Sequence, residues 1–226
     1  MKENNALLIV KRILCIFMLI LYVSGVTQFF GDGIFSLAYL LLMFAVVIIM
    51  FPDILKEGKG FKDKPKTLLL IPLGILLVFL LDQTLMQNIV QPFIWKISGG
   101  TKENANTEKV FEMIRNNPIF MVFLTCVFGP VLEEVLYRYT LFGLIGKKNK
   151  PAAYIITALL FGLQHVIDAG VYGGDVRQFI NIGSYMVFSF IMSGLYSKTK
   201  NLCIPIIIHI TTNSIGVAMM LLQYFN

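Results

Sequence analysis

Seven apolar runs, each about as long as a bilayer-crossing helix, decide most of what this chain can become. A hydrocarbon core about 30 Å thick takes roughly 20 apolar residues per helix. The runs fall at 10–30, 33–51, 67–90, 118–143, 152–171, 178–196 and 203–224. Lipid offers no water to bond backbone N–H and C=O groups, so runs of this length are helices. The expected fold is all-α, a polytopic transmembrane helix bundle of about seven spans forming a single domain over 1–226. Helix-stopping residues separate the runs at Gly31-Asp32-Gly33, Phe51-Pro52-Asp53, Gly146 to Pro151 and Gly173-Gly174. Ile13 to Val23 follows Lys2, Lys11 and Arg12 as a signal peptide would, yet the apolar stretch continues to Phe30 and is read as an uncleaved first span.

Charge placement supports a membrane setting. The chain is 57% hydrophobic and only 14% charged. A net charge of +6 would suggest nucleic acid in a soluble chain, but here most basic residues lie in short clusters between apolar runs, as membrane topology requires. Nucleic acid is set aside, and the expected location is the cell membrane as a multi-pass protein in a lipid bilayer. With the amino terminus inside, Lys2, Lys11, Arg12, Lys56, Lys59, Lys62, Lys64, Lys66, Lys147, Lys148, Lys150, Lys198 and Lys200 lie on the cytoplasmic side, thirteen in all. Five lie outside: Lys96, Lys102, Lys109, Arg115 and Arg177. The asymmetry predicts amino terminus inside and carboxyl terminus outside. Within the longer outside loop, TEKVFEMIRNN groups apolar residues among charges and reads either as a helix on the membrane surface or as an ordinary loop helix. Cys15, Cys126 and Cys203 lie in or beside apolar runs without metal-type spacing and read as packing residues.

The fourth run contains GPVLEEVLYRYTLFGL. Glu133, Glu134 and Arg138 would together cost about 9 kcal/mol at the centre of a span. The thirteen Leu, Ile, Phe and Val residues between Ile119 and Phe142 return only about 4–8 kcal/mol. The segment therefore belongs inside the bundle with its charges paired or wetted. On an α-helix Glu134 lies over Arg138, four residues on, while Glu133 points to a neighbouring face. One carboxylate would be held ionised by its arginine and the other left for acid-base work.

The chain has two histidines, and both lie in apolar runs: His165 in LLFGLQHV and His209 in IIIHITTNSIG, which also carries Asn213. Counting about 1.5 Å per residue from the cytoplasmic ends places Arg138 and His209 about 10 Å deep, Glu133 and Asn213 about 16–18 Å and His165 about 21 Å. Gly129-Pro130 and Pro205 are expected kinks. By residues alone, the polar set is either a water-activating site or a buried network locking helices together. Asp82, Gln83, Gln87 and Asn88 fall toward the outer end of the third span and read as interface-solvated.

The pattern Glu-Glu-x-x-x-Arg at 133–138, Phe-x-x-x-His at 161–165 and His-x-x-x-Asn at 209–213 resembles the CPBP family of CAAX prenyl endopeptidase-like and bacteriocin-processing (Abi) membrane proteins. The resemblance covers about 118–220, which would be the catalytic core. It implies an intramembrane endopeptidase acting on a peptide or membrane-anchored protein. Glu133 would activate water and His165 would help hold and polarise it. His209 and Asn213 would stabilise the oxyanion, Glu134 and Arg138 would support the site, and Phe161 would shape its pocket. Two versions of the chemistry stand open: Zn²⁺ on Glu133, His165 and His209 with a water at the fourth position, or direct activation without a metal. Small bacterial members of the family are associated with maturing secreted peptides and with bacteriocin self-immunity. The alternative function is a non-catalytic membrane scaffold or immunity protein that binds a membrane partner. A small-solute transporter is weaker, since the chain shows no inverted repeat.

Overall fold

A computed structural model describes residues 5–29, 33–60, 65–98 and 104–225, and every regular element among them is helical. The elements are α1 (Asn5–Val23), α2 (Ile34–Gly58), α3 (the helical run Pro65–Ile97), α4 (Ala105–Asn116), α5 (Pro118–Ile145), α6 (Lys150–Tyr172), α7 (Val176–Thr199) and α8 (Cys203–Phe225). All except α4 are long and apolar enough to cross a membrane, seven spans among the described residues. Gly31, Asp32 and the lysines at 2, 62, 64 and 102 lie outside the described residues.

Burial rises toward the centre of the bundle. Within their most apolar windows, 44% of α5 and 50% of α7 are buried, against 11% of α2 and 17% of α3. The core joins Met18 of α1, Val46 of α2, Leu132, Val135 and Leu136 of α5, Phe161 of α6, Met192 of α7 and Ile204 and Ile208 of α8. Ile13, Phe17 and Ile20 of α1 and Leu37, Leu41 and Ile48 of α2 face outward, as lipid-facing side chains should. The segment carrying the charges is thus central, which is where its insertion cost requires it to be.

Two boundaries differ from expectation. Phe51-Pro52-Asp53 does not end α2, which runs through Pro52 to Gly58. Proline removes one helical hydrogen bond, but tertiary contacts hold the following turns: Lys11 Nζ lies 2.6 Å from Asp53 Oδ2, and Glu57 Oε2 accepts from Leu202 N at 2.8 Å. Asp82 is also not interface-solvated. It is only 5% exposed and accepts hydrogen bonds from the Ser184 hydroxyl of α7 and from Gln87 Nε2 at 3.4 Å. Pairing with α7 satisfies a carboxylate that lipid would not.

The short α4 docks on the bundle. Asn104 caps it, accepting from Asn106 N at 3.1 Å and Thr107 N at 3.4 Å. Ile114 packs with Cys126 and Val217, Lys109 Nζ reaches Asp168 Oδ2 at 2.7 Å, and Asn104 and Asn106 both donate to Tyr185 Oη.

Close helix approach depends on small residues. A Cβ on Gly74 of α3 would meet Ile208 Cδ1 at 2.5 Å and Leu195 Cδ1 at 2.9 Å. Gly74→Val is expected to cost about 1–3 kcal/mol by overpacking and to lower the thermal unfolding midpoint in detergent. Val substituted at Gly194, which has open space around its Cβ position, should lower it much less.

Candidate active site

The polar residues meet where α5 departs from α-helical geometry. Leu124–Phe128 and Glu134–Phe142 adopt π turns, in which N–H groups bond the carbonyl five residues back. Gly129 N donates to Leu124 O, and the next residue, Pro130, has no N–H to give Thr125 O. Asn213 fills that gap: its Nδ2 donates to Thr125 O at 3.0 Å. The π register rotates each residue by less than the 100° of an α-helix. Adjacent Glu133 and Glu134 both reach the same imidazole, one at each of its nitrogens.

That imidazole is His209. Its Nδ1 lies 2.8 Å from Glu134 Oε1 and its Nε2 lies 3.6 Å from Glu133 Oε2. Glu134 is in turn 3.2 Å from Arg138 Nε, and both are fully buried. The ion pair forms by distance without hydrogen-bond alignment, so its attraction is mainly coulombic. Arg138 also stacks 4.7 Å above the Phe161 ring and donates through Nη2 to Ser189 O at 3.5 Å. Glu134 and Arg138 thus anchor one nitrogen of His209 and turn the other toward Glu133.

Glu133 is 7% exposed and is held by two residues that sequence reasoning missed. Tyr22 Oη donates to Glu133 Oε1 at 3.0 Å, and Gln164 Nε2 donates to the same oxygen at 3.1 Å. Gln164 is fixed by the Tyr137 hydroxyl, which donates to its Oε1 and lies 3.3 Å from Leu160 O. Tyr22 offered no local signal, being 111 residues away in sequence. Gln164 did: a glutamine beside His165 in an apolar helix needs partners. With Oε1 occupied, Oε2 is the oxygen left for chemistry.

His165 is oriented differently. Its Nδ1 donates to Phe161 O at 2.8 Å, since a carbonyl can only accept, which leaves Nε2 as the available nitrogen. Its ring stacks on Tyr185 at 4.2 Å. Phe161 sits at the centre of this set, 4.7 Å from the His165 ring and 6.2 Å from that of His209. Glu133 is the sixteenth of the 28 residues of α5, near the middle of that helix.

Among the described residues no group of three or more His, Cys, Asp and Glu side chains is arranged to hold a metal ion. Glu133 Oε2 lies 3.6 Å from His209 Nε2, and His165 keeps its Nε2 available.

Comparison with known proteins gives this geometry a context. Residues 115–215, which include all three motifs, match the family described as type II CAAX prenyl endopeptidase Rce1-like. The membrane-embedded CAAX protease MroQ of Staphylococcus aureus is 34% identical over 144 residues, 61% of this chain and 53% of MroQ. These matches support a CPBP family protein. YdiL of Bacillus subtilis, whose name classes it provisionally as a membrane peptidase, is 26% identical over 194 residues, 84% of this chain and 73% of YdiL. UPF0177 protein YxdF of Lactococcus lactis is 33% identical over 87 residues, 38% of this chain and 42% of YxdF. No solved structure gives a significant match. The protein is a multi-pass membrane protein, and its relatives support a membrane protease function.

Asn213 gives a test of the π-turn reading. Asn213→Ala leaves the Thr125 carbonyl without its donor and is expected to cost about 1–3 kcal/mol, measured as a lower unfolding midpoint in detergent. Asn213→Asp, which has no donor when ionised, should not restore it.

Proposed function

We propose that this protein is an intramembrane endopeptidase that hydrolyses a peptide bond in a peptide or membrane-anchored protein, with Glu133 activating the water. The carrying observation is the division of the two Glu133 oxygens: Oε1 is fixed by Tyr22 and Gln164, while Oε2 faces His209 Nε2 across 3.6 Å. This gap is longer than a hydrogen bond, and a water can lie beside it within reach of both atoms. Glu133 Oε2 takes a proton from the water, the oxygen attacks the scissile carbonyl carbon, and the same carboxyl returns the proton to the leaving amine. His209 Nε2, as the imidazolium, and the second amide hydrogen of Asn213 are the proposed oxyanion partners. His165 Nε2 holds and polarises the water. Tyr22, Gln164, Glu134 and Arg138 are positioning residues, and the amino terminus is assigned to the cytoplasm.

Secreted-peptide maturation or bacteriocin self-immunity is the proposed setting, resting on the family resemblance. Peptidomics of cells carrying wild type, Glu133→Gln or no copy tests activity and substrate together. Glu133→Gln is expected to lower product formation by about 10²–10⁴-fold at unchanged protein level. Equal product from wild type and Glu133→Gln would sink the glutamate mechanism and favour the non-catalytic scaffold. Tyr22→Phe removes one neutral hydrogen bond, worth about 1 kcal/mol. It should lower kcat several-fold with little change in KM, since the hydroxyl positions the base and does not bind substrate.

A further inference from the structure

A cavity of about 520 Å³ lies at the end of the bundle remote from α4. Lys150, which begins α6, lines it, whereas the α4 anchor Asp168 lies eighteen residues along the same helix. Four cations border it: Arg12 of α1, Lys147 and Lys150 around the α5–α6 turn, and Lys200 after α7. The hydroxyls of Thr140, Tyr196 and Ser197 line it too, and no carboxylate does. Nearby acids are already engaged, Asp53 by Lys11 at 2.6 Å and Glu57 by Tyr196 Oη at 3.3 Å and Leu202 N at 2.8 Å. Among the described residues none of the four cations makes an ion pair. Lys200 occupies the left-handed region at φ 54, its N–H bonded to Tyr196 O at 2.8 Å and its ammonium 5.9 Å from the Tyr196 ring. Non-glycine residues rarely adopt this conformation, and here it accompanies a cation on the cavity wall.

Four like charges around one concavity need a counter-charge, and low-dielectric walls concentrate their field. Arginine and hydroxyl donors on several elements suit an oxyanion with several acceptor oxygens. Basic pockets between membrane helices bind lipid headgroups by this chemistry. We propose that this cavity binds a phosphate group, carried by an anionic phospholipid headgroup or by free phosphate. The proposal does not depend on the peptidase reading.

Native mass spectrometry of full-length protein from nanodiscs of phosphatidylcholine with phosphatidylglycerol tests it. Wild type should retain phosphatidylglycerol over phosphatidylcholine by about tenfold, the scale expected for one to two basic contacts. Lys147→Gln/Lys200→Gln should lose that preference, while Lys198→Gln, at the same end but outside the cavity lining, should keep it. Lys147 and Lys200 are exposed, so these changes leave the core intact. Inorganic phosphate added to pure phosphatidylcholine nanodiscs identifies the source. A rise in the wild-type unfolding midpoint that the double variant lacks would assign the site to free phosphate. The proposal is overturned if the double variant keeps the wild-type lipid preference, or if wild type shows neither lipid preference nor phosphate stabilisation. Unchanged lipid retention with lost peptide cleavage in the double variant would instead make the cavity a substrate contact and overturn it as well.

Discussion

Two adjacent carboxylates share a single imidazole, and one arginine pairs with the second of them, in the middle of an apolar bundle. Charges in a dry interior cost several kcal/mol each unless paired and hydrogen-bonded. Glu134 meets that condition through Arg138 and His209 Nδ1, and Glu133 meets it through Tyr22 and Gln164. The arrangement draws on α1, α5, α6 and α8 at once, so the bundle must form before the charges are tolerable. The central place of α5 and the outward apolar faces of α1 and α2 follow from the same requirement.

A π turn of α5 ties the first motif to the third. The register at Leu124–Phe128 leaves a carbonyl without a donor at Pro130, which Asn213 supplies from α8. One residue of the third motif is thus committed to backbone geometry in the first. Loss of Asn213 would therefore combine a structural and a chemical effect, and a stability measurement separates them.

Polar organisation extends beyond the site without merging with it. On one side α4 is tied to Asp168 and Tyr185, and Tyr185 stacks on His165. On the other, four basic residues surround a cavity whose neighbouring acids are already paired. The buried Asp82 joins α3 to α7 through Ser184. In each case a group too polar for lipid is satisfied by another helix, and that need helps fix which helices are neighbours.

By itself the sequence determined the helical class, the number of spans and the local Glu134–Arg138 pairing, because these depend on segment length, apolarity and a four-residue spacing. Its three motifs also placed Glu133, His165, Phe161, His209 and Asn213 on α5, α6 and α8. It misread the end of α2 at Pro52 and the solvation of Asp82, since Lys11, Leu202 and Ser184 hold those residues from distant parts of the chain. Only the tertiary structure decided that His209 lies between both glutamates and that Tyr22 and Gln164 hold Glu133. Those outcomes depend on helix packing, which brings within hydrogen-bonding reach side chains that lie up to 111 residues apart in sequence.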